Sequence, residues 1–238
     1  MRALAFVAWF AGPLFAQQPD TLLRRALEAH QKGEIDSAIG YYREYLKLRP
    51  GSVEVRSNLG AALARKGEYA NAIAEYEAAL QLGPGNAAVL LNLALAYYKA
   101  GDPGSAANPL SAIRGRTPQA TLLLADCWLQ LGENKKVIDL LQPLNAAGSP
   151  QAPVIYMLGT ALIRDQQFTA GQALLDQILK HGESAEARLL MGTAKLGVAD
   201  FAAALQDLAR AVELNPKLPS VHAYYGQALM ATGDTINA

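Results

Sequence analysis

The chain of 238 residues has one cysteine, Cys127, and three histidines, His30, His181 and His222. A lone thiol cannot close an internal disulfide, and this donor set has no spacing that would hold a structural zinc. An excess of one charge is also missing, since 21 basic side chains balance 21 acidic ones and no Lys/Arg run exceeds a pair. Nothing therefore draws the chain to a phosphate backbone or an anionic membrane surface, and nucleic acid is not expected as a partner. Strand formers are scarce. Val and Ile together number 18, against 45 Ala and 37 Leu, a balance that favours helix and disfavours strand. The reading is an all-α chain held together by packing alone.

Catalytic signatures are scarce as well. The histidines lie far apart, and there is no zinc-protease His pair, no phosphate-cradling glycine loop ending in lysine and no serine elbow. Gly83-Pro84-Gly85-Asn86 has no strand before it and no lysine after it, so it reads as a turn. Cys127, beside Trp128, reads as a small core residue. Glu75 with Glu77 and Glu183 with Glu186 are pairs along one helix, which make a solvated face more readily than a converging acid and base. No catalytic residue, cofactor or metal is expected.

The amino terminus has the grammar of an address. Met1-Arg2 is followed by an apolar stretch from Ala3 to Phe15, then Ala16 before the polar Gln17-Gln18-Pro19-Asp20. One charge, an apolar core too short to span a bilayer comfortably and a small residue at the cleavage position fit an export signal over residues 1–16. The mature chain, 17–238, is then expected in the periplasm or secreted, with no stable membrane span after cleavage.

Aligned with itself, the chain repeats with a period of 34. Leu59-Gly60, Gly67, Ala72, Tyr76, Ala79 and Pro84 recur as similar residues in units that start near Pro19, Val53, Ala87, Pro118, Ala152, Ala185 and Pro219, the last cut short. Large apolar residues recurring three or four apart place one stripe on each helix, and Gly60, Ala72 and Ala79 let helix axes come close. Gly67, Gly101, Gly132 and Gly233 mark the ends of first helices, and Pro50, Pro84, Pro118 and Pro216 close units. Pro109 falls inside a second helix and predicts a kink or a shortened helix. Residues 143–150 read as a local change of pitch within one array.

This pattern resembles the tetratricopeptide repeat family, most fully at 53–86, where only the bulky fourth residue is replaced, by Arg56. The resemblance implies a right-handed superhelical solenoid of antiparallel helix pairs, acting as a protein interaction scaffold that takes a peptide or helix in a concave groove. It also implies which positions of the first helices face that groove. Among them are Asn58, Leu91, Asn92, Leu95, Tyr98, Leu122, Asp126, Tyr156, Met157 and Leu189, together with Leu129, Thr160 and Ile163. The groove is expected to be polar early and apolar from Leu91 onward, either covered within the array or reserved for a partner. Asn58 and Asn92 resemble the asparagines that hold a peptide backbone in family members. Leu23, Leu27, Ala88 and Leu123 occupy flanking positions where chaperone-binding members carry a carboxylate clamp, so no clamp is expected. Two further expectations concern the carboxyl end: the chain serves as the helper arm of a larger enzyme or polymer-export machine, or it self-associates through Tyr224, Tyr225 and Met230.

Overall fold

First helices open where a small polar side chain can satisfy the bare amides of a helix start. Ser52 accepts from the Val55 amide, Thr117 from Ala120 and Ser184 from Ala187, each at 3.3 Å. Asn86 accepts from both Ala88 and Val89 at 3.1 and 3.2 Å. The computed structural model describes residues 19–146, 151–180 and 182–233. Among them are thirteen helices and no strand: α1 (Pro19–Lys32), α2 (Ile35–Leu48), α3 (Val53–Arg65), α4 (Tyr69–Leu82), α5 (Ala87–Lys99), α6 (Pro103–Ala112), α7 (Pro118–Gln130), α8 (Asn134–Ala146), α9 (Ala152–Arg164), α10 (Phe168–Leu179), α11 (Ala185–Gly197), α12 (Phe201–Leu214) and α13 (Val221–Thr232). The fold class is an all-α helical repeat. The export signal at 1–16, residues 147–150 of the pitch-change segment, His181 and the terminal residues 234–238 lie outside the described residues.

The chain gathers into two compact units that divide between Ala96 and Tyr97, inside α5. In the first, α1 packs on α2, α2 on α3 and α3 on α4. Its core holds Leu22, Tyr42, Val55, Leu59, Leu63 and Tyr76, all nearly or fully buried. Gly60 sets the spacing of α3 and α4, because a Cβ there would lie 2.7 Å from the Tyr76 ring. Only hydrogen fits that contact.

In the second unit consecutive helices from α6 to α13 pack in the same way, and the first helices also touch one another, α7 with α9, α9 with α11 and α11 with α13. Successive cores form around Leu141 and Leu158, then Leu175 and Met191, then Leu208 and Ala228. Pro109 is buried inside α6, which at ten residues is the shortest of the thirteen. The ring removes an amide donor and crowds the preceding turn, and α6 stops at Ala112, three residues later. A proline within a helix recurs at Pro143 in α8.

The turn from first to second helix is one joint used six times among the described residues, and Gly233 after α13 repeats its geometry. Its central residue is left-handed in every described repeat: Gly33, Gly67, Gly101, Gly132, Gln166, Ala199 and Gly233, with φ from +61° to +85°. In the first six the next amide reaches back five residues to close the helix, as Glu68 to the Leu63 carbonyl (2.9 Å) and Gln167 to the Leu162 carbonyl (2.8 Å). Gln166 and Ala199 adopt the glycine geometry without being glycine.

The fourth repeat position explains the missing aromatic. Arg56 on α3 pairs with Glu75 on α4 at 3.0 Å, and Arg188 on α11 pairs with Asp207 on α12 at 2.6 Å. In both, a guanidinium from the first helix and a carboxylate nineteen residues later fasten the helix pair where an apolar plug would otherwise sit. Lys195 adds a second cation to Asp207 at 2.6 Å.

Candidate functional site

The residues expected to face a groove divide between the two units. In the first, Asn58 is half-buried and, with Glu54, Ser57, Asn86 and Ala88, lines a cleft of about 310 Å³ between α3 and the start of α5. Leu91 and Asn92 are half-buried on α5, and Leu95 is 40% exposed. Asn92 does not line that cleft.

The second unit carries the more defined face. Along α7, Leu122, Asp126 and Gln130 fall four apart and so stand above one another on one side. Asp126 is held from two directions: the Tyr98 hydroxyl donates to its Oδ2 at 2.6 Å, and Gln130 Nε2 donates to the same oxygen at 2.8 Å. Gln130 also donates to the Tyr98 oxygen at 3.2 Å, closing a triangle. The bond to the carboxylate, with burial, raises the Tyr98 pKa above the usual phenol range. One turn earlier, Leu122 lines a cavity of about 250 Å³ with Arg116, Pro118, Thr121, Leu144, Gln151 and Val154. Arg116 closes the end of α6, its Nη1 reaching the Leu110, Ser111 and Ile113 carbonyls at 3.2–3.4 Å.

Further along, Tyr156 and Met157 are half-buried on α9, as is Leu189 on α11. Leu189 lines a second cleft, of about 420 Å³, with Arg164, Leu190, Thr193 and Tyr224 among its walls. Arg164 donates to the Leu129 carbonyl at 2.9 Å.

Leu129 and Thr160 do not face a groove, being 8% and 5% exposed, whereas Ile163, 6% exposed, still forms part of the wall of the Leu189 cleft. The close approach of α9 and α10 accounts for the low exposure of Ile163, because a Cβ on Gly171 would lie 2.6 Å from its Cγ1. Thr160 turns its hydroxyl back to the Tyr156 carbonyl (2.7 Å), and Leu129 belongs to the Leu141 and Leu158 core. Sequence reasoning in turn missed Gln130 and Arg116. Gln130 had a readable signal, a donor four residues after Asp126 on one helix face. Arg116 lies outside any helix, and its role depends on where α6 stops.

The candidates for chemistry are separated. His30 Nδ1 lies 3.2 Å from the Tyr42 hydroxyl, their rings edge to face, and His222 Nε2 lies 2.8 Å from the Pro216 carbonyl. Burial pushes the Cys127 thiol up to about 11, so it is protonated at neutral pH. Among the described residues no three His, Cys, Asp or Glu side chains gather as a metal site, and no helix is long and apolar enough to cross a membrane.

The tetratricopeptide repeat family model matches residues 23–87 and 189–235. A model described as anaphase-promoting complex, cyclosome, subunit 3 matches 65–144. The chain belongs to the tetratricopeptide repeat family. No curated protein matches it in sequence. Among solved structures it is similar to YrrB, described as a TPR protein with an unusual peptide-binding site, at TM-score 0.65 and 16% identity over 81% of this chain and 97% of that one. It is also similar to Pseudomonas aeruginosa pilF, at TM-score 0.60 and 19% identity over 88% and 97%. A tetratricopeptide repeat protein of Parabacteroides merdae matches at TM-score 0.54 and 15% identity over 91% and 86%. These identities carry the fold. A tetratricopeptide repeat fold supports a protein–protein interaction scaffold.

Proposed function

We propose that this tetratricopeptide repeat protein is a non-catalytic scaffold of an exported compartment that binds a peptide or helix on the faces of its first helices. The observation that carries the reading is the division of labour on α7, α9 and α11. Each helix buries one apolar stripe, with Leu124, Leu158 and Met191, and keeps another half-exposed, with Leu122, Met157 and Leu189. Leu122 and Leu189, each lining a cleft of the second unit, suit a protein segment more than bulk water. The peptide-binding site of YrrB supports the same use of this fold. The exported location rests on the Met1–Ala16 pattern.

The test is capture from envelope extract with the full chain as bait, beside a Leu91→Asp, Leu122→Asp, Met157→Asp variant whose helicity is confirmed by circular dichroism. A protein retained by the parent and lost by the variant is the expected outcome. Retention of the same proteins by both, or of none by either, overturns the reading. A second reading, self-association through α13, is favoured by the exposure of Met230 (61%) and Tyr224 (38%), and light scattering tests it directly.

A further inference from the structure

Building on that interaction reading, we propose that the α7 face selects a protein segment in which an apolar side chain stands beside a lysine or arginine. The apolar group enters the cavity at Leu122, and the cation bonds Asp126.

Asp126 is the one charged side chain of α7, and it forms no salt bridge among the described residues. The ninth position of neighbouring repeats holds Ala61, Leu95, Thr160 and Thr193, so the carboxylate is particular to this repeat. It is already oriented, because Tyr98 and Gln130 both bond Oδ2 and neither uses Oδ1. Those donors are neutral. They fix the carboxylate without cancelling its charge, which leaves Oδ1 to accept from an external ammonium or guanidinium. Arg164, on the next first helix, has a guanidinium N–H committed to the Leu129 carbonyl.

The cavity supplies the second half of the pattern and its direction. Leu122 and Asp126 are four residues apart on one helix, about 6 Å along its axis. Arg116 also lines the cavity and precedes α7, whereas Asp126 lies one turn beyond Leu122; the guanidinium repels a cation from its own end and so favours the Asp126 end. A Lys or Arg stem can lie along the apolar surface between the two points while its head reaches Oδ1.

The experiment uses the full chain to select from a random-peptide display library, and the enriched peptides are synthesised for fluorescence anisotropy. Enriched sequences are expected to share a Lys or Arg close to an apolar residue, and replacing that basic residue by norleucine should weaken binding to the parent by about tenfold or more. Asp126→Asn, confirmed helical, should give a similar loss, and Asp126→Lys should prefer the peptide with Glu in place of its basic residue. Peptides that ignore both the norleucine change and Asp126→Asn, yet are lost on Leu122→Asp, overturn the cation preference and leave the interaction face standing. Binding that survives all these changes, or a library that yields no binder, overturns both.

Discussion

The first and second units fasten a helix pair with the same joint at different depths. Glu75 keeps 27% of its side chain exposed beside Arg56, whereas Asp207 keeps 4% beside Arg188 and Lys195. Depth decides what such a joint is worth. A carboxylate in water gains little from a partner, because screening and hydration compete with it. A carboxylate out of water must keep its partners, since losing them strands the charges left behind. The Asp207 joint also extends outward, Arg188 reaching Glu183 at 3.0 Å and Glu183 meeting Arg210, which further bonds Glu213. The same substitution in the two units should therefore separate them.

Asp207→Ala is expected to destabilise the α11–α12 pair by about 3 kcal/mol, because Lys195 loses its anion and Arg188 keeps only the more exposed Glu183. Glu75→Ala should cost the α3–α4 pair about 1 kcal/mol or less. Hydrogen exchange read separately in the two pairs measures each effect where it arises. Equal losses would show that burial does not set the strength of this joint. A triple change of Arg188, Lys195 and Asp207 to Met, Met and Leu should recover most of the loss, since an apolar replacement of a buried ion group removes the stranded charges.

The interhelix turns give a second contrast, in backbone instead of charge. Gly67 and Gln166 sit at matching places with φ of +85° and +65°, followed by the same return bond. A Cβ in that region meets its own carbonyl, a cost glycine avoids. Gly67→Ala should thus destabilise its repeat by about 1 kcal/mol. Gln166→Gly and Ala199→Gly should stabilise theirs by a few tenths up to about 1 kcal/mol, reduced by the extra freedom glycine gives the unfolded chain. Denaturant midpoints of the three variants test this, and a destabilising Gln166→Gly would mean that the glutamine side chain contributes something the backbone argument omits.

These contrasts also define what could be read from the sequence. The period, the helical class and the glycine turns were legible because each rests on residue types with one strong local preference, as with Gly67 and Pro118. Gln166 and Ala199 were not, because geometry there is imposed by the helices on either side and leaves no mark in composition. Arg56 looked like a flaw in the fourth position until Glu75 appeared nineteen residues away; a partner across a helix pair is invisible to a pattern that scores one position at a time. The faces were partly legible. Leu122, Asp126 and Met157 stay half-exposed as spacing implies, but Leu129 is drawn into the Leu141 and Leu158 core, a packing between helices that spacing along one helix cannot contain. The division inside α5 left no compositional trace either, since Leu95, Ala96 and Tyr97 lie within one unbroken helix.

The smallest expected effect concerns pH and should be confined to the first unit. The His30 pKa is lowered below 6.5, chiefly because the ring is partly buried and secondarily because Arg65 lies beside it. Arg65 is held there by a bond from its Nη1 to the His30 carbonyl at 3.4 Å. Well above pH 6.5 the imidazole is neutral in both folded and unfolded chains, and His30 adds no pH dependence. As pH falls through 6.5 towards the folded value, the unfolded chain takes up a proton that the folded one resists, so stability declines. Below the folded value the loss levels off. Hydrogen exchange in α1 and α2, corrected for the intrinsic pH effect, should show faster opening at pH 5 than at pH 7. His30→Gln should remove that acceleration, and Arg65→Met should reduce it without abolishing it, because burial is the larger cause. An acceleration that persists in His30→Gln would assign the acid sensitivity to the unit's carboxylates, with Asp36 and Glu68 around Lys66 the first to examine.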